Sequence, residues 1–455
     1  MGHNGVIKGS NGGNVKVANN AEFPKEWTIV SLERDCVLIS GLRPKGGASD
    51  EGIPSLGGEH ITLDGRINFS DVNAKYIPEK FFKIMTKGKT EENDILINKD
   101  GANTGKVAML KKKFYKDIAI NEHLFIIRSK KLFVQQYLFY WLFSRFGQKQ
   151  ITDRITGSAQ PGLSSTFIKN FLVPRPPLPE QRKIAEILET IDSAIEKTDA
   201  IIEKYKRIKQ GLMQDLLTKG VVSEGEGESE RWRLRDENID KFKDSPLGRI
   251  PEEWEVVDVY GRVNLINGGT PSTARPEFWN GSIPWLSVED FNIGKRWVFS
   301  SSKYITELGL KQSATKLLKK GMLIISARGT VGVLAQLGAD MAFNQSCYGL
   351  DAKDKMKLSN DFLYYALKNF ITSFLSLAYG NVFNTITRET FKEILIPLPP
   401  LPEQQRIASI LSQIDEVIEK EQAYKEKLER IKKGLMEDLL TGKVRVNHLI
   451  EEEEK

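Results

Sequence analysis

Apolar residues recur at intervals of three and four through two stretches of this chain. In the first they fall at Ile184, Leu188, Ile191, Ile195, Ile202, Tyr205, Ile208, Leu212 and Leu216; in the second at Ile407, Leu411, Ile414, Ile418, Leu428, Ile431, Leu435 and Leu439. Charged residues occupy most other positions, so each stretch predicts a long helix with the narrow seam of a coiled coil. Both open with the same six residues, Pro176-Pro177-Leu178-Pro179-Glu180-Gln181 and Pro399-Pro400-Leu401-Pro402-Glu403-Gln404. Proline is tolerated in a first helical turn, where its missing N–H has no intrahelical partner, and it bars a helix from running in from upstream. Both close alike, with Gly211-Leu212-Met213 and Gly434-Leu435-Met436. Aligned at an offset of 223 (399 minus 176), residues 176–218 and 399–441 are identical at 28 of 43 positions. A period that long marks a duplicated domain and not a solenoid. About 40 residues make a rod of roughly 60 Å. One rod cannot hide its seam, and its twin is the obvious partner. Ile184, Leu188, Ile191, Ile195, Leu212, Ile407, Leu411, Ile414, Ile418 and Leu435 are the residues expected to dock the helices on each other or on a partner.

The rest of the chain repeats faintly. Pro24-Lys25-Glu26-Trp27 answers Pro251-Glu252-Glu253-Trp254, and Gly41-Leu42-Arg43-Pro44 answers Gly268-Gly269-Thr270-Pro271. Ile53-Pro54-Ser55-Leu56 answers Ile283-Pro284-Trp285-Leu286, and Ala119-Ile120-Asn121 answers Ala342-Phe343-Asn344. Short apolar runs at 95–98, 106–110, 124–127, 322–326 and 332–336 read as strands. Stretches 135–146 and 361–375 read as helices, and the aromatic run Tyr137-Leu138-Phe139-Tyr140-Trp141 as core. Strands with few helices give an α+β class: two tandem α/β domains separated by two long helices in an antiparallel coiled coil with pseudo-two-fold symmetry. The expected divisions are a flexible tail at 1–20, a domain at 21–173, a helix at 174–219, a linker at 220–245, a second domain at 246–396, a second helix at 397–443 and an acidic tail at 444–455. Equivalent helices paired about a two-fold axis across the rod run antiparallel. The end of the first near Thr218 then lies beside the start of the second domain, and a short linker suffices.

Composition narrows the partners. A net charge of +6 permits nucleic acid without requiring it. Two cysteines, Cys36 and Cys347, suit a reducing cytoplasm, and no apolar run is long enough for a membrane span or a signal-peptide core. His3, His60, His123 and His448 lack metal-ligand spacing, and His60 and His123 read as hydrogen-bonded structural residues. Gly101-Ala102-Asn103-Thr104-Gly105-Lys106 fails as a phosphate loop. Three residues separate its glycines, and Val107 stands where a magnesium-binding hydroxyl belongs. No catalytic set appears, and no metal or cofactor site is expected in this chain.

The paired Pro-Pro-Leu-Pro-Glu-Gln helices, their Gly-Leu-Met closings, the Pro-Lys-Glu-Trp and Pro-Glu-Glu-Trp openings, Gly268-Gly269-Thr270-Pro271-Ser272 and Ile283-Pro284-Trp285-Leu286 resemble the specificity subunit of type I restriction–modification systems over about 23–443. Ser55 for Trp285 and Arg43 for Thr270 depart from that pattern. The resemblance implies two target-recognition domains, each reading half of a split double-stranded DNA site, and conserved helices that space them. It also implies two modification (methyltransferase) subunits carrying S-adenosylmethionine, and restriction subunits that add ATP- and magnesium-dependent translocation and cleavage. The chain itself would then be no enzyme. The alternatives are the specificity subunit of a type II modification and cleavage system, a coiled-coil adaptor that binds no DNA, and a self-contained nuclease.

Loop residues able to reach phosphates or base edges are the candidate contacts. In the first domain these are Lys99, Asn103, Thr104 and Lys106, then Ser158 and Gln160 beside Pro161-Gly162. In the second they are Ser326, Arg328 and Thr330, then Asn381, Asn384, Thr385 and Arg388. Lys111-Lys112-Lys113 reads as a solvated turn.

Overall fold

The two long helices form where the pattern places them: α1, Leu178–Thr218, and α2, Leu401–Leu440. The computed structural model describes residues 23–157, 159–225, 231–379 and 385–453, with two short strands, Ile7–Lys8 and Asn14–Val15; the rest of the expected tail at 1–20 lies outside the described residues. The chain divides into two compact units, Met1–Lys197 with Lys425–Lys455, and Thr198–Tyr424. Each unit therefore holds a stretch of both helices.

In the first unit Asp192 of α1 meets Lys432 of α2 at 2.5 Å, and Glu180, nearer the start of α1, meets Arg445 beyond the end of α2 at 2.6 Å. One residue number rises as the other falls, so the stretches run antiparallel. The second unit repeats this: Lys209 of α1 pairs with Asp415 of α2, and Val221, just past α1, donates its N–H to Glu403 at 2.8 Å. Ile184, Leu188, Met436, Leu439 and Leu440 share one core, and Leu216, Leu217, Ile407 and Leu411 another. Ile195 and Ile418 are buried, while Ile191, Leu212, Ile414 and Leu435 are half-buried. Ile208 and Ile431, which the spacing assigns to the seam, are instead 37% and 39% exposed.

The first unit contains an antiparallel sheet of β1 (Cys36–Ser40), β2 (Asp94–Asn98), β3 (Val107–Leu110) and β4 (Leu124–Ser129) in the order β1-β4-β2-β3. The second contains β5 (Val263–Asn267), β6 (Trp297–Val298), β7 (Leu323–Ser326), β8 (Leu334–Leu337) and β9 (Cys347–Ala352) in the order β5-β9-β7-β8-β6. The first four strands of that order repeat the first sheet. Both sheets are covered on both faces. Ile95 and Ile97 enter one core and Leu96 another; Leu323 and Ile325 enter one and Ile324 another. That is why these strands read as unbroken apolar runs. The echoes between domains are also structural. Ser55 and Leu56 pair in parallel with Ala119 and Ile120, as Trp285 and Leu286 pair with Ala342 and Phe343. A Cβ on Gly41 would stand 1.9 Å from the Asn121 carbonyl, and one on Gly268 2.0 Å from that of Asn344, so only glycine fits.

Two expectations are corrected. The described parts of 220–245, all but 226–230, are folded: Val221–Glu224 pairs with Arg231–Leu234, and Phe242–Ser245 pairs with Gly248–Pro251. Its polar composition hid the buried Val221 and Arg235. The acidic tail also begins inside the structure, since Val446 is buried and Asn447–Glu453 is helical. The aromatic run at 137–141 is core, and the helix there stops at Phe143, with Ser144 capping a second one, Arg145–Thr152. No helix among the described residues is long and apolar enough to cross a membrane.

Candidate nucleic-acid interface

The polar residues repeated in the helices hold each domain in place. Glu180 accepts from the Trp27 indole at 3.1 Å and from Arg445 at 2.6 and 3.0 Å. Its counterpart Glu403 accepts from the Trp254 indole at 3.0 Å and from both Arg235 terminal nitrogens, one at 3.1 Å. Each arginine lies in the chain that follows the other helix. Gly220, with φ of +65°, packs so closely here that a Cβ would stand 2.2 Å from Trp254 and from Glu403. Next along, the Gln181 side-chain amide oxygen accepts from Val134 N–H at 2.8 Å, and that of Gln404 from Ser359 N–H at 2.9 Å. About three turns further along each helix, Asp192 accepts from Tyr140 at 2.8 Å and Asp415 from Tyr365 at 2.7 Å, each facing its lysine. Burial pushes both phenols well above their usual range. These roles escape a reading of apolar spacing. The available signal was that Glu180, Gln181, Asp192 and Lys209 all recur at the offset of 223.

With the frame set, two loops meet in each unit. The turn after β2 is joined to the 160–163 stretch: Gly101 N–H donates to the Pro161 carbonyl at 3.0 Å, and Leu163 N–H to that of Lys99 at 2.6 Å. In the second unit Ile386 N–H donates to the Ala327 carbonyl at 2.8 Å, and Arg328 bridges Thr385. Leu163 and Ile386 are again 223 apart, so the joint is the same one. The described parts of the two candidate stretches of each domain, about sixty residues apart in sequence, are therefore joined.

The side chains divide into two groups. Asn103 donates to the Gly58 carbonyl at 3.1 Å, and Thr104 to those of Gly101 and Pro161 at 2.6 and 3.1 Å. Ser326 is buried, donating to the Thr330 carbonyl at 2.5 Å and accepting from Val333 N–H at 2.8 Å. These three brace the loops, which corrects the expectation that Ser326 faces a ligand. Gln160, Arg328, Thr330 and Arg388 are exposed, and Lys99, Lys106 and Thr385 are half-buried. Lys99 pairs with Asp100 at 3.0 Å. Ser158, Asn381 and Asn384 lie outside the described residues. Lys111 is not free in its turn: it reaches Glu196 of α1 at 3.1 Å. His60 is structural, its ring between Gly57 N–H at 2.8 Å and the Asn73 carbonyl at 2.9 Å. Among the described residues no group of three or more His, Cys, Asp or Glu side chains could hold a metal ion.

A duplicated frame carrying unlike exposed loops is what the resemblance implies, and comparison with known proteins agrees. A family model described as the type I restriction modification DNA specificity domain matches residues 67–206 and 251–430. The chain belongs to the type I restriction–modification specificity family. It is a DNA sequence-specificity subunit. A protein of Methanocaldococcus jannaschii provisionally named the MjaX type I restriction enzyme specificity subunit is 30% identical, over 95% of this chain and 97% of the relative. The MjaVIII specificity subunit of the same organism is 28% identical over 96% and 97%. The crystal structure of an S subunit from M. genitalium shares the fold at a TM-score of 0.59, with 15% identity, 93% of this chain and 98% of that one covered.

Proposed function

We propose that this specificity subunit reads a split double-stranded DNA site, one half with the joined loops of each unit, and contributes no catalytic residue of its own. The observation that supports the reading is the matched loop joint, Leu163 to Lys99 and Ile386 to Ala327, which presents different side chains from the same frame. Arg328 and Arg388 suit phosphates or guanine edges, and Gln160 suits adenine.

The long helices set the gap between half-sites and dock two modification subunits. Ile201 and Ile208 of α1, and Tyr424 and Ile431 of α2, are exposed apolar side chains at equivalent positions of the two helices. Gly211 and Gly434 are exposed as well, with open space where a Cβ would stand. Glycine inside a helix costs ~1 kcal/mol relative to alanine. This chain's own packing does not call for it, whereas a close-packed partner helix would. S-adenosylmethionine, ATP and magnesium belong in this scheme to the modification and restriction subunits, and this chain binds no cofactor.

The test pairs two assays. Alone, the chain transfers no methyl group and binds duplex DNA with an affinity that falls steeply with salt; with its modification subunit it protects one bipartite sequence. Whole helical turns added to α1 or α2 change the gap and leave each half-sequence intact. Methyl transfer by the lone chain, or an altered half-sequence with a constant gap, overturns the reading.

A further inference from the structure

Beside the first unit's loop joint lies a second set of side chains that the second unit does not share. Arg43 reaches Glu122 at 3.1 Å, His123 reaches Asp100 at 2.6 Å and Glu122 at 3.4 Å, and Lys99 holds the other Asp100 oxygen at 3.0 Å. Lys99 N–H also donates to the His123 carbonyl at 2.9 Å, so the set is continuous with the loop joint. A cavity of about 310 Å³ opens between Arg43, Ser55, Glu122 and His123. In the second unit the bulk of Trp285 stands at the Ser55 position; it is buried, with its indole N–H on the Gly269 carbonyl at 3.0 Å. The shared backbone pairing sets the other correspondences. Thr270 answers Arg43 and Gln345 answers Glu122, and these two hydrogen-bond each other. Arg328, bridged to Thr385, answers Asp100, bridged to Gly162.

We infer that Arg43 and Glu122, steadied by His123, Asp100 and Lys99, form a base-reading site of the first unit that recognises a G·C pair. Guanine offers two acceptors to an arginine in the major groove, and cytosine offers an amino donor to a carboxylate. Arg43 and Glu122 present that donor and acceptor side by side at the mouth of a cavity. Their side chains are 60% and 33% exposed, and an ion pair so placed adds little to stability. It is therefore free to trade partners with a base pair. Gln345 and Thr270, at the same place in the second unit, suit adenine. The site rests on the reading of the chain as a split-site DNA binder.

The experiment selects from a randomised duplex library with the full chain in complex with its modification subunit. The double variant Arg43→Thr with Glu122→Gln installs the second unit's pair. It should lose the preference for G·C at one position of the first half-site by roughly tenfold to a hundredfold, with the second half-site unchanged. If the double variant unfolds at a lower temperature than the wild type, Glu122→Gln alone carries the test with the same expected direction. An unchanged motif, or uniform weakening on every sequence as a phosphate contact would give, overturns the assignment. A wild type that selects no bipartite motif overturns the split-site reading instead.

Discussion

The helix starts and the loop tips are both duplicated, yet they behave in opposite ways. At the helix starts, indole, carboxylate and guanidinium repeat as Trp27–Glu180–Arg445 and Trp254–Glu403–Arg235, with indole bonds of 3.1 and 3.0 Å. At the loop tips, Asp100 and Arg328 occupy one place with opposite charge. The difference follows from burial. A polar group inside the fold must keep its partner, because losing it leaves an uncompensated charge or donor. A side chain at an exposed tip can change with little cost to folding. The frame is therefore repeated and the exposed loop surface diverges.

The largest test of this contrast removes the two glutamates separately. Glu403→Ala leaves Arg235, whose side chain is only 5% exposed, with the half-exposed Glu253 as its remaining carboxylate, and should cost about 3 kcal/mol in equilibrium unfolding, the low end for a broken buried pair. Glu180→Ala should cost less, about 1–3 kcal/mol, because the Arg445 side chain is 28% exposed and can turn to water. Equal losses would show that burial of the arginine does not set the difference. At the other pole, Arg328→Ala should leave unfolding unchanged and relax selection at one base pair of the second half-site by about 1–3 kcal/mol. Arg388→Ala should weaken binding to all sequences alike if it meets a phosphate, with a shallower salt slope. A stability loss in either would place these residues with the frame. Smaller still, Tyr140→Phe should cost about 1 kcal/mol, and Tyr365→Phe should cost more, because its hydroxyl also accepts from Arg296 at 3.1 Å and meets Ser412 at 3.3 Å; equal losses would show that these extra contacts add nothing to the Asp–Lys–Tyr set. The least effect is expected at the thiols. Burial pushes both Cys36 and Cys347 up to about 12, so at pH 8 nearly all thiol is protonated and a disulfide reagent should react only after denaturation. Rapid reaction of either would show a local opening.

The helices were legible because a seam of period three to four can be read without knowing its partner. The strands at 95–98 and 322–326 were legible as apolar runs, though not the reason, which is that layers cover both faces. The 220–245 stretch misled because a charged hairpin and an exposed linker share a composition; only the fold shows Arg235 turned onto Glu403. Polar loop residues misled in a similar way. Asn103, Thr104 and Ser326 are of the types that touch DNA, but they are equally the types that brace a turn, and residue type does not give direction.

From the sequence alone came the duplication, the class, the two long helices and the candidate loop stretches. All of these depend on local periodicity or on identity at a fixed offset. Tertiary structure alone decided which distant loops join, which arginine closes which glutamate, and that Ser55 opens a cavity where Trp285 fills one. Those outcomes depend on contacts between residues tens to hundreds of positions apart, and no local pattern encodes the geometry of such an encounter.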